Sequence, residues 1–598
     1  MRRFLPIFLF TVMIQAQTQP AAPMANVPGR KTTSLSGAWH IIVDPLESGL
    51  NAEYYRNRKP KDKSDLVEYN FDASETLTVP GDWNTQKEKL LFYEGPLWYE
   101  KSFTYSKRER TRVFVYFGAV NYRARIYLNG EALGEHEGGF TPFDFEVTKL
   151  LHNGDNFLVV EASNQRRDDA VPALHTDWWN YGGITRDVIL IETPETFIRD
   201  YWIQLAKGSR DQIDGWVQLD GNRGPQQRVS IEIEIPEAGI KTSAITNADG
   251  RAGFHVPARL QLWSPKSPKL YHVLISAGDD TVHDSIGFRT IEARGSQILL
   301  NGEPIFLRGI SLHEEAPVRG GRAYSVDDAQ ALLGWAKELG CNFVRLAHYP
   351  HNENEIRLAD RMGLVVWSEI PVYWDIAWKS PAALANARLQ LRDMIARDHN
   401  RAAVILWSLS NETPVDPDRL TFLRTLAEDA RQLDPTRLIT SAMNRVEDDG
   451  ADGRILRDPL GQFLDVLGLN EYFGWYYGRP EDADRQTWTG IYDKPLIVSE
   501  FGGDAAYGRH GDAAARWTEE YQASLFVHQL NMVNKIPHLA GLSPWVLMDF
   551  RSPRRPLPGI QDYFNRKGLL SNTAQHKQTF FVRQKFYRDK QAQEPPPP

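Results

Sequence analysis

The stretch "AVILWSLSNE", residues 403–412, decides how the second half of this chain is read. Val404-Ile405-Leu406-Trp407 is continuously apolar, as a strand buried on both faces is, and the run stops at an amide and a carboxylate, Asn411-Glu412. Seven further runs share that character: "IFLRGISLH" (305–313), "NFVRLAHYP" (342–350), "GLVVWSEIP" (363–371), "LITSAMN" (438–444), "DVLGLNEY" (465–472), "PLIVSEFG" (495–502) and "LAGLSPWVLMDF" (539–550). Helical segments alternate with them. The first starts at Ser325 as N-cap, with Asp327 and Asp328 in its first turn and Ala329, Leu332, Leu333 and Ala336 on one face. Eight β–α units predict a (β/α)₈ TIM barrel over residues 294–592. The C-terminal strand ends of that fold form its mouth, so His313-Glu314, His348, Glu369, Asn411-Glu412, Asn470-Glu471-Tyr472, Glu500 and Asp549 are expected to face one polar cleft.

Upstream, from about residue 30 to 290, the pattern is different. Short alternating runs such as Val113-Phe114-Val115-Tyr116-Phe117 and Ala124-Arg125-Ile126-Tyr127-Leu128 are followed by turn signals, of which "NGE" (129–131) is a strong hairpin former. This half reads as two β-sandwiches with a seam in "ETPETFIRDYW" (192–202), the second of a size that suits an immunoglobulin-like sandwich.

The 598-residue chain carries a formal charge of −8 and no basic stripe, which argues against a nucleic-acid partner. Its single cysteine, Cys341, excludes an internal disulfide framework and reads as a small buried residue. Arg2 and Arg3 ahead of a short apolar run, Phe4 to Ile14, with Ala16 before the cleavage point, predict a secretory signal over 1–16 and hence export to the periplasm or medium. No later stretch reads as a membrane span, and the Pro-only tail after 594 is expected to be disordered.

Two strand-end carboxylates stand out, Glu412 and Glu500, on the fourth and seventh runs. Glycoside hydrolysis needs such a pair, one group to protonate the leaving oxygen and one to attack the anomeric carbon or activate water. An acid working near neutrality needs a raised pKa, from burial or a neighbouring carboxylate, whereas a nucleophile needs donors that keep it ionised.

"RAAVILWSLSNE" (401–412) and "KPLIVSEFGG" (494–503) resemble the acid/base and nucleophile segments of glycoside hydrolase family 2, which holds β-galactosidases, β-glucuronidases and β-mannosidases. "FGAVNYRARIYLNGEALGEHEGGFTPFDFEVT" (117–148) is similar to the family's jelly-roll sugar-binding domain, and "RLAHYPHNENEIRLADRMGLVVWSEIP" (345–371) to its second and third barrel strands. The resemblance runs in domain order from about residue 34 to 590. It implies a jelly-roll sandwich over 30–195, an immunoglobulin-like sandwich over 196–293 and the barrel over 294–592, with a retaining mechanism. By the same resemblance Glu412 is the general acid/base, Glu500 the nucleophile, Asn411 the ligand of the sugar 2-OH, Tyr472 the tyrosine touching the nucleophile, and His348 and Trp545 cleft residues. Family members often form dimers or tetramers, so a homo-oligomer is compatible, and no cofactor or metal is expected.

The sugar is read elsewhere. "TDWWNYGGITRDV" (176–188) resembles a β-glucuronidase segment whose Asp, here Asp177, reaches the hydroxyls of the sugar being cleaved off. "FNRKG" (564–568) contains the N-x-K pattern that β-glucuronidases use on the sugar carboxylate, supplied here by Asn565 and Lys567. A cation beside a 6-carboxylate selects a uronic acid over a neutral sugar. The sequence departs from that pattern where Gln561 and Asp562 replace an upstream Arg, with Arg554 and Arg555 as candidate substitutes, and where Glu471 stands in place of another Arg. These residues predict an exo-acting β-glucuronidase, with β-galactosidase or β-galacturonidase activity as the nearest alternative. A non-catalytic carbohydrate-binding protein requires loss of a catalytic carboxylate, and both are present. A metal hydrolase built on His313, Glu314 and His348 lacks any supporting spacing.

Overall fold

The computed structural model describes residues 22–593 apart from 66, 222–227, 451 and 491, so the export signal and the Pro-only tail lie outside the described residues. All eight strand-like runs of the C-terminal half are strands, and they close into one parallel barrel in chain order. They are β1 (Leu307–Leu312), β2 (Phe343–Leu346), β3 (Val365–Glu369), β4 (Val404–Asn411), β5 (Leu438–Met443), β6 (Leu467–Asn470), β7 (Leu496–Glu500) and β8 (Leu539–Leu542). Every residue of β4 is buried, which accounts for the unbroken apolar run that precedes Asn411.

Helix α1 (Val326–Glu338) begins as its sequence predicts. Ser325 accepts from the Asp328 amide and the Asp328 side chain reaches back, a reciprocal capping box, while Ala329, Leu332, Leu333 and Ala336 are the buried face. Helices α2 (Glu353–Met362), α3 (Pro381–Asp398) and α4 (Pro417–Leu433) follow β2, β3 and β4, and α5 (Glu519–Val533) and α6 (Gln578–Ala592) follow β7 and β8. The expectation of eight β–α units fails after β5 and β6. Short 3₁₀ turns, Pro459–Gln462 and Pro480–Arg485, stand there instead, each with a Pro in its first turn, and a small sheet of Val446–Asp448, Gly453–Leu456 and Thr487–Thr489 covers that side.

The first sandwich packs a six-stranded sheet on a four-stranded one around Trp39, Trp83, Tyr99, Phe117 and Val160. The "NGE" signal is a tight hairpin, with Asn129 and Gly130 both at positive φ, 53° and 84°, between strands Arg123–Leu128 and Glu131–Glu137. Its last strand, Val188–Pro194, is separated by Glu195 alone from Thr196–Leu205, the first strand of a second, three-plus-four sandwich. Ile, Val and Leu dominate that second core.

The two sandwiches grip opposite ends of the barrel. The first holds the mouth: Arg186 donates to Glu314 (3.0 Å), just past β1, and to the Pro350 carbonyl past β2 (2.7 Å), and Tyr181 donates to Glu315 (2.7 Å). The second holds the base: Asn400, just ahead of β4, bonds both Ile203 N (2.9 Å) and Tyr201 O (2.8 Å), and Trp263 donates to the Asp360 carbonyl (2.9 Å). Among the described residues no helix is long and apolar enough to cross a membrane.

Candidate active site

Arg345 is the hub of the barrel mouth. It sits mid-β2 with no solvent exposure, and its guanidinium donates to Glu500 (2.6 Å), Glu369 (3.1 Å), the Asn411 Oδ1 (2.8 Å) and the Ser499 carbonyl (3.2 Å). Glu500 also accepts from the Tyr472 hydroxyl (2.7 Å). Glu369 takes further donors from Trp367 (2.8 Å) and Ser408 (2.9 Å) and lies 2.8 Å from His348 Nδ1. A neutral His348 protonated on Nδ1 satisfies that contact, and burial pushes its imidazole down to about 4. His348 Nε2 is left 3.9 Å from Glu500, and Trp545 stacks on the imidazole with ring centres 4.8 Å apart.

Glu412 is held by different donors. Trp374 Nε1 donates to its Oε2 (3.0 Å) and Asn470 Nδ2 to its Oε1 (2.9 Å), both neutral groups. Its backbone lies in the left-handed region, φ 50°, which costs a non-glycine residue on the order of 1 kcal/mol or more. The turn is fixed from both sides: Asn411 N donates to Val372 O and Glu412 N to Ala442 O, each at 2.9 Å. That backbone conformation ends β4 abruptly and leaves Glu412 only partly buried at the strand's exit.

One guanidinium therefore serves two carboxylates, Glu369 and Glu500, while Glu412 has only neutral donors. Burial pushes the Glu500 carboxyl up to about 7; Arg345 opposes this and Glu412 adds to it. Glu369 moves the other way: burial would raise it, but Arg345 and His348 hold it down to about 2. A buried guanidinium outnumbered by the carboxylates around it suits a reaction in which positive charge develops on the substrate.

A second cluster lies beside the first, across Tyr472. Asp177, carried in from the first sandwich, accepts from Arg555 (Nε, 3.1 Å), Ser552 (2.5 Å) and Asn565 (3.2 Å). Lys567 is buried 2.9 Å from Asp504, with its ammonium near the rings of Tyr476 (5.1 Å) and Tyr472 (5.8 Å). Burial alone would raise Asp177 and lower Lys567, but Arg555 holds Asp177 down and Asp504 holds Lys567 up, so both stay charged. Gln561 lies against Asp504 (3.4 Å), and Asp562 is exposed and caps a turn at Gly559 (2.8 Å).

The structure thus gathers Glu412, Glu500, Asn411, Tyr472, His348, Trp545, Asp177, Asn565 and Lys567 around one cleft. Other strand-end residues are turned away. Glu314 pairs with Arg186, Asp549 with Lys577 (2.7 Å), and Glu471 accepts from Phe473 N (2.9 Å) and Tyr477. His313 bonds Tyr349 (3.1 Å) and meets His348 edge to face (ring centres 5.5 Å), but Glu314 is turned to Arg186, so the three do not form one ligand set. Among the described residues no group of three or more His, Cys, Asp or Glu forms a metal cradle. Arg345, Trp374 and Asn470 carry much of the geometry, yet the strand-end logic did not single out Arg345 or Trp374. An Arg inside an otherwise apolar buried run was the available signal.

A barrel whose mouth holds two differently hydrogen-bonded carboxylates, at the ends of strands β4 and β7, is the framework of a glycosidase. Family profiles match the chain in three consecutive pieces: "Glycosyl hydrolases family 2, sugar binding domain" over 32–194, "Glycosyl hydrolases family 2" over 196–289, and "Glycosyl hydrolases family 2, TIM barrel domain" over 291–589. The chain belongs to glycoside hydrolase family 2 and is a glycoside hydrolase. It is 28% identical to a β-glucuronidase of Paenibacillus borealis, covering 92% of this chain and 95% of that one. It is also 28% identical to the human β-glucuronidase, covering 94% and 91% respectively. A solved β-glucuronidase from an uncultured Clostridium species superposes with a TM-score of 0.81 at 26% identity, covering 95% of this chain and 99% of the other.

Proposed function

We propose that this enzyme is an exo-acting, retaining β-glucuronidase that releases terminal β-linked glucuronic acid from an oligosaccharide or glycoside. On this reading Glu500 attacks the anomeric carbon while Glu412 protonates the departing oxygen, and Glu412 then takes the proton of the water that cleaves the glycosyl-enzyme bond. Arg345 and Tyr472 support the nucleophile by donating to Glu500. Asn411 has its Oδ1 occupied by Arg345, which leaves its amide N–H to meet the sugar 2-OH. Trp545 and His348 form the wall against which the ring lies.

The observation that carries the sugar assignment is the buried cluster of Asp177, Asn565, Lys567 and Arg555. Two cations and an amide at one end of the cleft offer a uronic 6-carboxylate more than one donor. Arg555 fills the role that the departure at Gln561 leaves open.

A side-by-side assay on aryl β-glucuronide, β-galactoside, β-galacturonide and β-mannoside tests this reading, which predicts the glucuronide to be preferred and the β-anomer to appear first by NMR. Preference for the galactoside, or first release of the α-anomer, overturns it. Residues 1–16 add the proposal that the mature enzyme is exported, which N-terminal sequencing of the protein recovered from its host checks.

A further inference from the structure

We infer that Trp374 and Arg554 form the leaving-group side of the cleft, and that this side accepts an anionic sugar, one bearing a sulfate ester or a carboxylate. The inference rests on the reading of Glu412 as the proton donor. Whatever lies against the donor's carboxyl but away from Glu500 lies against the departing group. Trp374 is such a residue: its indole N–H holds Glu412 Oε2 at 3.0 Å, its backbone N–H is fixed by the Asn411 carbonyl at 3.0 Å, and its ring leans on Tyr373 with centres 4.5 Å apart. The ring is only half-buried, so part of this apolar side chain stays accessible beside the proton donor.

Arg554 caps that surface. Its guanidinium carbon lies 4.8 Å from the centre of the Trp374 ring, and the side chain is exposed. Four nearby cations each carry an ion pair: Arg345 with Glu369 and Glu500, Arg555 with Asp177, Lys567 with Asp504 and Arg566 with Asp549. Among the described residues Arg554 has no carboxylate partner. The two arginines are adjacent in one turn, in which Arg554 N donates to Ser552 Oγ (3.2 Å) and Ser552 Oγ donates to Asp177 (2.5 Å). One turn thus sends Arg555 to the glycon end and Arg554 to the leaving-group end. A planar guanidinium with its edge free is suited to bidentate contact with sulfate or carboxylate oxygens.

The test uses disaccharides that share one glycon and differ in the reducing sugar, which is neutral, sulfated or carboxylated. The glycon is whichever the four-glycoside assay finds to be cleaved, so failure of the glucuronidase reading leaves this comparison intact. The wild type should favour at least one anionic substrate over the neutral one by about five- to tenfold in kcat/KM, mainly through KM. Arg554→Gln should bring that ratio close to one, Arg554→Lys should keep part of it, and about 0.5 M salt should shrink it in the wild type. Whether the sulfated or the carboxylated substrate gains more identifies the anion. No anionic preference in the wild type, or the same preference in Arg554→Gln, overturns the inference.

Discussion

The two β-sandwiches have the same general architecture and opposite relations to the barrel. The first meets the mouth, through Arg186, Tyr181 and Asp177; the second meets the base, through Asn400 and Trp263. Both interfaces are built from buried side-chain hydrogen bonds to backbone or carboxylate. Only the mouth, however, is next to strand ends whose side chains are free to face a substrate. Position relative to strand direction, not sandwich type, therefore decides which domain can shape specificity. A change at the mouth should alter what is cleaved, and a change at the base should alter only how well the fold holds.

The largest effect should come from the barrel itself. Glu500→Ala removes the proposed nucleophile, and kcat on an aryl glycoside should fall by about three orders of magnitude or more, equivalent to about 4 kcal/mol in the barrier. Substantial residual turnover, measured with an enzyme of wild-type melting temperature, would falsify the assignment.

The pH dependence sharpens the same point. Glu500 must be ionised to attack, and burial with Glu412 nearby sets its carboxyl at about 7. On an aryl glycoside whose leaving group needs little proton donation, activity should therefore hold just above that pH and decline about tenfold per unit below it, as Glu500 takes up its proton. Glu412→Gln removes the neighbouring negative charge, so the midpoint of this acid limb should move down. An aryl glycoside with a good leaving group, which needs little proton donation, is the substrate for that measurement. A midpoint that stays put or rises in Glu412→Gln breaks the coupling between the two carboxylates.

Much of this arrangement is legible in the sequence. The eight barrel strands announced themselves because strands covered on both faces must be apolar throughout, and Ser325 marked its helix because a cap needs a side-chain acceptor. The missing helices after β5 and β6 left a weaker trace, Pro459 and Pro480, which start turns as readily as helices. Strand-end position alone overcounted the cleft. Glu314 points to Arg186, a residue 128 positions upstream, and no local window of sequence contains that partner. Arg345 was hidden for the opposite reason: its neighbours Phe343, Val344 and Leu346 are ordinary core, and only the barrel's closure brings Glu369, Asn411 and Glu500 around it.

At the mouth the first sandwich should leave its mark on specificity. Lys567→Ala, in the barrel's own loop, and Asp177→Asn, in the sandwich, should both reduce kcat/KM for an aryl glucuronide, by about ten- to a hundredfold, from loss of a charge-assisted contact worth about 1.5–3 kcal/mol. Lys567→Ala should affect the matching galactoside much less, because a neutral sugar has no 6-carboxylate to lose. Equal losses on both substrates would mean that Lys567 serves only its ion pair with Asp504.

At the base the second sandwich should give the smallest effect on chemistry. Asn400 is buried and uses both ends of its amide, accepting from Ile203 N at 2.9 Å and donating to Tyr201 O at 2.8 Å. Asn400→Ala leaves two backbone groups of one strand without those partners in a dry interface, a loss of about 1–3 kcal/mol. The residue lies at the opposite end of β4 from Glu412, and the intervening strand is fully buried and rigidly packed. Thermal unfolding should therefore begin at a lower temperature while kcat/KM for each of the four aryl glycosides, measured well below that temperature, keeps its wild-type value. A changed glycoside preference in Asn400→Ala would break the division of labour between the sandwiches, since it would require the base of the barrel to communicate with the mouth along β4.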